Sequence, residues 1–218
     1  LFHLIFLDLL GRKLDRRHYA LKGGCNLRFF LGSFRYSEDM DLDLWKLPPE
    51  KLSTVVEGIL RSETFSRLLD VRQISLRQWT APKQTETTQR WKFLLRIAGR
   101  DGDLHTKVEF SRRGSGDGSR FEAIDPLLLR THALPPIMAS HYPLQVAFDQ
   151  KVIALATRKA TQARDVFDLH LLLQSGALLS QAAAPARRQA GEAAERAMSV
   201  TFPVFKSQVL SYLHADWQ

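Results

Sequence analysis

The segment from Leu21 to Leu44 contains the side chains of this chain that are best suited to chemistry. Near its end, Asp39 and Asp41 are separated by a single residue. In an extended strand, residues two apart project from the same face, so these carboxylates would lie side by side, with Asp43 further along. Aligned carboxylates repel each other and are costly to bury, and a divalent cation reverses that cost. The spacing therefore predicts a metal-binding strand.

A pair of glycines, Gly23 and Gly24, precedes the acidic strand and favours a turn at the start of a helix. Glycine permits positive φ and close approach to the backbone, so N–H groups at such a turn can hold phosphate oxygens. Either feature alone is common in proteins that have no catalytic role. The two together, in this order, predict a site for a nucleotide and its metal.

Two stretches of the chain resemble motifs of the AbiEii/AbiGii toxin family of nucleotidyltransferases. Residues 23–44, GGCNLRFFLGSFRYSEDMDLDL, resemble the first motif, in which Gly-Gly is followed by Thr or Ser and later by Arg-x-Ser-x-Asp-x-Asp. Residues 151–173 resemble the later motif, which has a lysine, an arginine and an Arg-Asp pair. The wider set includes the MenT-type toxins and the DNA polymerase β-like nucleotidyltransferase superfamily. The chain departs from the pattern at Cys25, whose thiol is a weaker hydrogen-bond donor than a hydroxyl.

The resemblance implies roles for residues of both motifs. Asp39 and Asp41 would be catalytic metal ligands, and Lys151 and Asp165 would be catalytic residues of the later motif. Nucleotide contacts are implied at six further positions: Gly23, Gly24, Cys25, Arg158, Arg164 and Asp168.

A third metal ligand is expected on another strand, HTKVEF, in which Lys107 and Glu109 share one face. The superfamily places a third carboxylate at this kind of position, which we assign to Glu109. The alternative is ordinary alternation on a half-exposed strand. Lys107 is expected to pair with Glu109 or to contact a substrate phosphate.

The activity implied by the resemblance is transfer of NMP from an NTP to an RNA acceptor, the 3′ end of tRNA, with release of pyrophosphate. The metal would be Mg²⁺, two ions, with Mn²⁺ as an alternative, because these cations prefer oxygen ligands. The protein would be the toxin of a toxin-antitoxin system, with a cognate antitoxin as partner. Three alternatives stay open: a phosphotransferase of the same fold, a nucleotidyltransferase that modifies protein, or a non-catalytic protein that binds RNA or a partner.

Composition agrees with a polyanionic substrate. The 218 residues have a formal net charge of +8, which favours nucleic acid as a partner. The sequence has two basic clusters: the first is Arg12, Lys13, Arg16 and Arg17, and the second is Arg112, Arg113 and Arg120. Each cluster is either a phosphate contact or a solvated surface. A single cysteine excludes an intramolecular disulfide and fits a reducing compartment, so we expect a cytoplasmic protein. The apolar run LFHLIFLDLL is too short to span a bilayer, so we expect no membrane association.

The pattern of apolar residues predicts an α/β (α+β) fold. The family resemblance implies that residues 1–120 form a nucleotidyltransferase core with a mixed β-sheet flanked by helices. A mainly helical C-terminal domain, 121–218, would contribute Lys151 and Asp165 to an active-site cleft. Predicted helices are 1–20, 25–32, one from Pro49 and several from Leu144 onward, and predicted strands are 40–45, 71–80, 91–98 and 104–110.

Overall fold

The strands of this protein form one mixed sheet in a computed structural model that describes residues 1–213. Over that range the sheet has seven strands in the order β3-β4-β5-β2-β1-β7-β6. The strands are β1 (Tyr19–Lys22), β2 (Asp39–Leu44), β3 (Ile74–Gln84), β4 (Thr88–Ile97), β5 (Leu104–Ser111), β6 (Arg120–Ala123) and β7 (Met138–His141). The pairs β2/β5 and β1/β7 are parallel and the other neighbours are antiparallel, which confirms the predicted α/β fold class with a mixed sheet.

Helices precede, interrupt and follow these strands. They are α1 (Phe2–Lys13), α2 (Gly23–Phe30), α3 (Pro49–Leu60), α4 (Glu63–Asp70), α5 (Pro126–Thr131), α6 (Leu144–Thr157), α7 (Ala163–Gln174), α8 (Ala184–Met198) and α9 (Phe202–Gln208). Among residues 1–213, no helix combines the length and the apolar character needed to cross a bilayer.

The described chain divides into two compact units. Unit 1 contains residues 1–22 and 38–141, and unit 2 contains residues 23–37 and 142–218, of which 142–213 are described. The predicted domain boundary lay after residue 120, at the glycine-rich RRGSGDGSR segment. The chain continues beyond that segment into β6 and β7, which pair with each other and extend the sheet of unit 1.

Apolar and charged residues alternate along the central strands of unit 1, so the two faces of the sheet differ in polarity. Met40, Leu42 and Leu44 of β2 are fully buried, while the aspartates between them project from the opposite face. On the buried face, α1 contributes an aromatic cluster in which Phe2 lies 5.0 Å from Phe93 between ring centroids. This packing holds β2 and its acidic residues in register, because a shift by one residue would exchange the two faces.

Unit 2 is built around the helices α6, α7 and α8. Its core contains Leu27 of α2 together with Phe148, Leu155 and Leu172, and all four side chains are buried. Since α6 carries Lys151 and α7 carries the Arg-Asp pair of the second motif, this core positions the residues of that motif within unit 2.

The predicted helix over residues 1–20 is wrong at its second half. Helix α1 ends at Lys13, a short 3₁₀ turn follows at Arg16–His18, and residues 19–22 form β1. Tyr19, Ala20 and Leu21 pair with β2 and are fully buried, so tertiary burial overrides the local helical pattern. The three later strands and the helices from Leu144 onward are confirmed, although β3 and β4 extend into residues expected to form a loop.

Candidate active site

The acidic residues of β2 and β5 meet on one face of unit 1. These strands are parallel, with Asp39 opposite Lys107 and Asp41 opposite Glu109. Residues directly opposite each other in neighbouring strands project from the same face. Asp39, Asp41 and Glu109, which we call the acidic edge, therefore share one face, as the alternation of both strands predicted.

Cations are paired with most carboxylates of this face. Asp39 Oδ2 lies 2.8 Å from Lys107 Nζ, and Glu109 Oε2 lies 2.5 Å from Arg90 Nη2. Lys107 therefore pairs with Asp39, its neighbour on the adjacent strand, and the expected pairing with Glu109 is wrong. The alternative, a contact with a substrate phosphate, stays a prediction. On β1, the other neighbour of β2, Lys22 Nζ lies 2.5 Å from Asp43 Oδ1.

Asp41 has the least favourable electrostatic surroundings of the acidic edge. Burial is the main cause that raises the pKa of Asp41 above its ordinary value, and the negative charges of Asp39 and Glu109 raise it further. Lys107 and Lys22 oppose this shift without cancelling it. Burial and the neighbouring carboxylates therefore both disfavour the ionised form of Asp41, and this costs free energy in the absence of a bound cation.

The donor atoms of the acidic edge fit a hard divalent cation. Carboxylate oxygens are the ligands that Mg²⁺ prefers, and a cation would relieve the charge excess at Asp41. Within residues 1–213, no three His, Cys, Asp or Glu side chains converge closely enough to form a metal cage as they stand. Asp39 and Glu109 are instead directed at Lys107 and Arg90, so metal binding would require these two ion pairs to rearrange.

The Gly-Gly turn in unit 2 needs glycine at both positions. Gly23 has φ of 67°, a left-handed conformation that favours glycine, and α2 begins at this residue rather than at the predicted residue 25. A Cβ at Gly24 would lie 2.6 Å from Ser37 Oγ and 3.1 Å from Arg35 Nη2. The turn is therefore closely packed, as expected for a site where backbone must approach another group. Cys25 follows it and is buried, which fits a packing role for its thiol.

Four residues of the second motif and one of the first form an ion cluster in unit 2 around two buried aspartates. We call it the buried ion cluster, and its members are Arg35, Lys151, Arg158, Asp165 and Asp168. Lys151 Nζ lies 2.9 Å from Asp165 Oδ1 and 2.6 Å from Asp168 Oδ2. Arg35 Nη2 donates to both oxygens of Asp168, at 3.1 and 3.0 Å, and its Nε donates to Oδ1 at 3.1 Å.

The outer part of the buried ion cluster is Arg158, whose Nε lies 2.7 Å from Asp165 Oδ2. That oxygen is buried and has no hydrogen-bond donor in good alignment, so the contact is an ion pair without hydrogen-bond geometry. Arg164, also predicted to contact nucleotide, is half-buried and forms no ion pair within the described range. The predicted nucleotide contacts of Arg158, Arg164 and Asp168 stay predictions.

The contacts of three side chains were not foreseen from the sequence. Arg35 is the arginine of the first motif, but nothing in the spacing indicated that it would pair with Asp168, 133 residues later. Lys22 precedes the Gly-Gly turn directly, and its proximity to Asp43 depends on antiparallel pairing of β1 with β2. Arg112 of the second basic cluster donates to Leu47 O and to Gln89 Oε1 of β4, so it joins the segment that follows β2 to β4 within unit 1.

Comparison with known proteins places the chain in a family. The family model described as nucleotidyl transferase AbiEii toxin, type IV toxin-antitoxin system, matches residues 5–213. The chain belongs to the AbiEii nucleotidyltransferase toxin family. As an AbiEii-family protein it is a nucleotidyltransferase of a type IV toxin-antitoxin system, and an antitoxin partner is implied by that membership. The family resemblance seen in the two motifs is thereby confirmed.

Two solved structures from Helicobacter pylori have a similar fold. One is JHP933, with a TM-score of 0.53 and 18% sequence identity, covering 95% of this chain and 90% of that protein. The other is a candidate nucleotidyltransferase, with a TM-score of 0.54 and 20% identity, covering 95% of this chain and 93% of that protein. At these identities the likeness concerns the fold. No curated protein matches this AbiEii-family chain in sequence.

Proposed function

We propose that this AbiEii-family protein transfers NMP from an NTP to the 3′ end of tRNA, with Mg²⁺ as its cofactor and pyrophosphate as the leaving group. The observation that carries this proposal is the register of β2 and β5, which brings three carboxylates to one face of the sheet. Grouping three carboxylates costs free energy in the folded protein, and it supplies the oxygen ligands that metal-dependent phosphate chemistry needs.

Residues of unit 1 would hold the metal. Asp39, Asp41 and Glu109 supply carboxylate oxygens from two neighbouring strands whose positions are held by the buried opposite face. Bound Mg²⁺ would supply positive charge to the triphosphate and lower the pKa of the acceptor hydroxyl. Lys107 and Arg90, paired with two of these carboxylates, would then be released and free to contact phosphate.

Residues of unit 2 would contact the nucleotide, and here the proposal rests on the family motifs. Backbone N–H groups at Gly23 and Gly24 would bind phosphate oxygens, since α2 begins there and the turn has no side chains. Lys151 would supply a compact positive charge against phosphate oxygens, and Asp165, within hydrogen-bond distance of Nζ, would hold that charge in place. Asp168 and Arg158 belong to the same buried ion cluster as Lys151 and Asp165, and their effect on the nucleotide would be indirect.

The test is label transfer to RNA. The protein is incubated with total tRNA, Mg²⁺ and each α-³²P-labelled NTP in turn, and we expect labelled tRNA with at least one NTP. A parallel series with γ-³²P-labelled NTP distinguishes the alternative, because a phosphotransferase labels the acceptor only from the γ position. EDTA should abolish transfer.

The test variant is Asp41→Asn, and its matched control is Asp101→Asn. Asp101 is an exposed residue of the turn between β4 and β5, so its variant removes one carboxylate outside the acidic edge. Transfer should be lost in the first variant and retained in the second. Label on RNA from the Asp41→Asn variant at the parent rate would refute the proposed role of the acidic edge.

A further inference from the structure

Cationic side chains continue the acidic edge across the sheet of unit 1. The pairing of β5, β4 and β3 aligns two rows of residues on the same face. In the first row, Lys107 lies opposite Asp39 on one side and opposite Lys92 on the other. In the second row, Arg90 lies opposite Glu109 and opposite Lys83. We call Lys83, Arg90, Lys92 and Lys107 the cationic face.

The inner and outer members of the cationic face differ in their partners. Lys107 and Arg90 are paired with Asp39 and Glu109. Lys92, which is exposed, and Lys83, which is half-buried, form no ion pair with any residue in the range 1–213. Two lysines directly opposite each other, as Lys92 and Lys107 are, repel and destabilise a sheet. This arrangement is unfavourable for folding alone and favourable for holding an anion.

A cavity opens beside these lysines at the beginning of β5. It has a volume of about 320 Å³ and is lined by residues that include Lys92, Lys107, His105 and Asp39. The lining therefore joins two carboxylates, those of Asp39 and Glu38, to two lysines and an exposed imidazole. Planar side chains such as histidine can stack on an unpaired base, and lysines contact phosphate without reading sequence.

We propose that the cationic face binds the sugar-phosphate backbone of a single-stranded RNA end, on the 5′ side of the hydroxyl that accepts the nucleotide. This inference rests on the proposed function, since it assigns the binding surface of the same acceptor. Neighbouring strands are about 4.8 Å apart, so β5, β4 and β3 together offer charge over roughly 10 Å. That width suits consecutive phosphates of one strand. The position of Lys107 beside Asp39 makes the acidic edge the end of this path.

The test compares two charge-matched double variants, Lys83→Gln/Lys92→Gln on the cationic face and Arg187→Gln/Arg188→Gln on the exposed surface of α8. Binding of a short 5′-fluorescein-labelled single-stranded RNA is followed by anisotropy in EDTA across a KCl series. For the lysine variant we expect about tenfold weaker binding. Its slope of log K against log [KCl] should be shallower by about 1.4, because each phosphate contact on a single strand contributes about 0.7.

Thermal unfolding shows whether weaker RNA binding by the lysine variant comes from a destabilised fold. The lysine variant should melt at or above the parent temperature, since the repulsion between Lys92 and Lys107 is removed. Equal affinities and slopes for the two double variants would overturn the inference, and so would a parent that does not bind the RNA. A labelled polyglutamate peptide serves as the other polyanion. Selective loss of peptide binding in the lysine variant would assign the face to an acidic protein instead.

Label transfer distinguishes this inference from the proposed function. If both hold, the lysine variant has a raised KM for RNA and an unchanged kcat. If the parent transfers label and the lysine variant has the parent KM, the inference fails and the proposed function stands. If the parent transfers no label while the difference in RNA binding persists, the proposed function fails and the binding surface stands.

Discussion

The acidic edge of unit 1 and the buried ion cluster of unit 2 use the same kinds of side chain in opposite ways. In the buried ion cluster, Asp165 and Asp168 have side chains that are 1% and 0% exposed, and cations contact each of them. In the acidic edge, the paired side chains of Asp39 and Lys107 are 26% and 32% exposed. Asp41, between its acidic neighbours, has a raised pKa.

The difference concerns which cluster the fold depends on. Removing one member of a buried, mutually bonded set leaves an uncompensated charge away from water, which is strongly destabilising. Removing a carboxylate from a half-exposed group with excess negative charge relieves repulsion. Loss of stability should therefore follow variants of the buried ion cluster, and loss of activity without loss of stability should follow variants of the acidic edge.

The largest effect is expected for Asp41→Asn. Removing one of the carboxylates that we propose as metal ligands should reduce the rate of label transfer by about 10³-fold or more, since electrostatic stabilisation of this kind is worth several kcal/mol. The melting temperature should be equal to or above that of the parent, because the cost of burying the Asp41 charge and the repulsion from Asp39 and Glu109 are both removed. Transfer rates and differential scanning fluorimetry measure both. A lower melting temperature would mean that Asp41 is structural.

The next largest effect is expected for Asp168→Asn, and it is a loss of stability instead of a loss of activity. The change removes the carboxylate that pairs with Arg35 and one of the two that pair with Lys151, and the free energy of unfolding should fall by roughly 3–5 kcal/mol. Urea unfolding followed by circular dichroism measures this. The control is Asp103→Asn, whose 3.6 Å contact with Arg96 is exposed and should matter by less than about 0.5 kcal/mol. A loss below about 1 kcal/mol at Asp168 would contradict the comparison.

A smaller loss of stability is expected for Gly24→Ala. The new Cβ would lie 2.6 Å from Ser37 Oγ and 3.0 Å from Ser37 Cβ, so that side chain must move, at a cost of about 1–3 kcal/mol. Gly191→Ala is the matched control in α8, where a Cβ would meet no atom within 4 Å. Alanine there should stabilise by about 0.5–1 kcal/mol, because it is the better helix former. Urea unfolding that gives both variants the same sign would show that Gly24 is not closely packed.

The smallest effect is a pH dependence. A carboxyl group whose pKa is raised on folding makes the folded state bind more protons, so its destabilising contribution is present above the folded pKa and disappears as the pH falls through it. In EDTA, the stability gained by Asp41→Asn should therefore be largest at neutral pH and shrink as the medium becomes acidic. Urea midpoints of parent and variant across the pH range check this. A stability gain of Asp41→Asn that grows on acidification would mean that folding lowers the pKa of Asp41 instead of raising it.

Much of the acidic edge could be predicted from local sequence. The alternation of Asp39 and Asp41 with Met40 and Leu42 predicts both a strand and its charged face, because strand side chains repeat every two residues. The position of Glu109 on a neighbouring strand was assigned from the superfamily, and its place opposite Asp41 required the register of β2 and β5. The helix over residues 1–20 was mispredicted, because burial of Tyr19 and Leu21 in the sheet outweighs local helical pattern.

Sequence alone determined the kinds of side chain, their strand and helix periodicity, and the family whose motifs they match. These are local properties, set by neighbours within a few residues. The tertiary structure alone decided which charges pair. Arg35 pairs with Asp168 across 133 positions, and Lys107 pairs with Asp39 rather than with Glu109. The physical reason is that ion pairs depend on distances of a few ångströms, and those distances are set by strand register and helix packing between segments far apart in the chain.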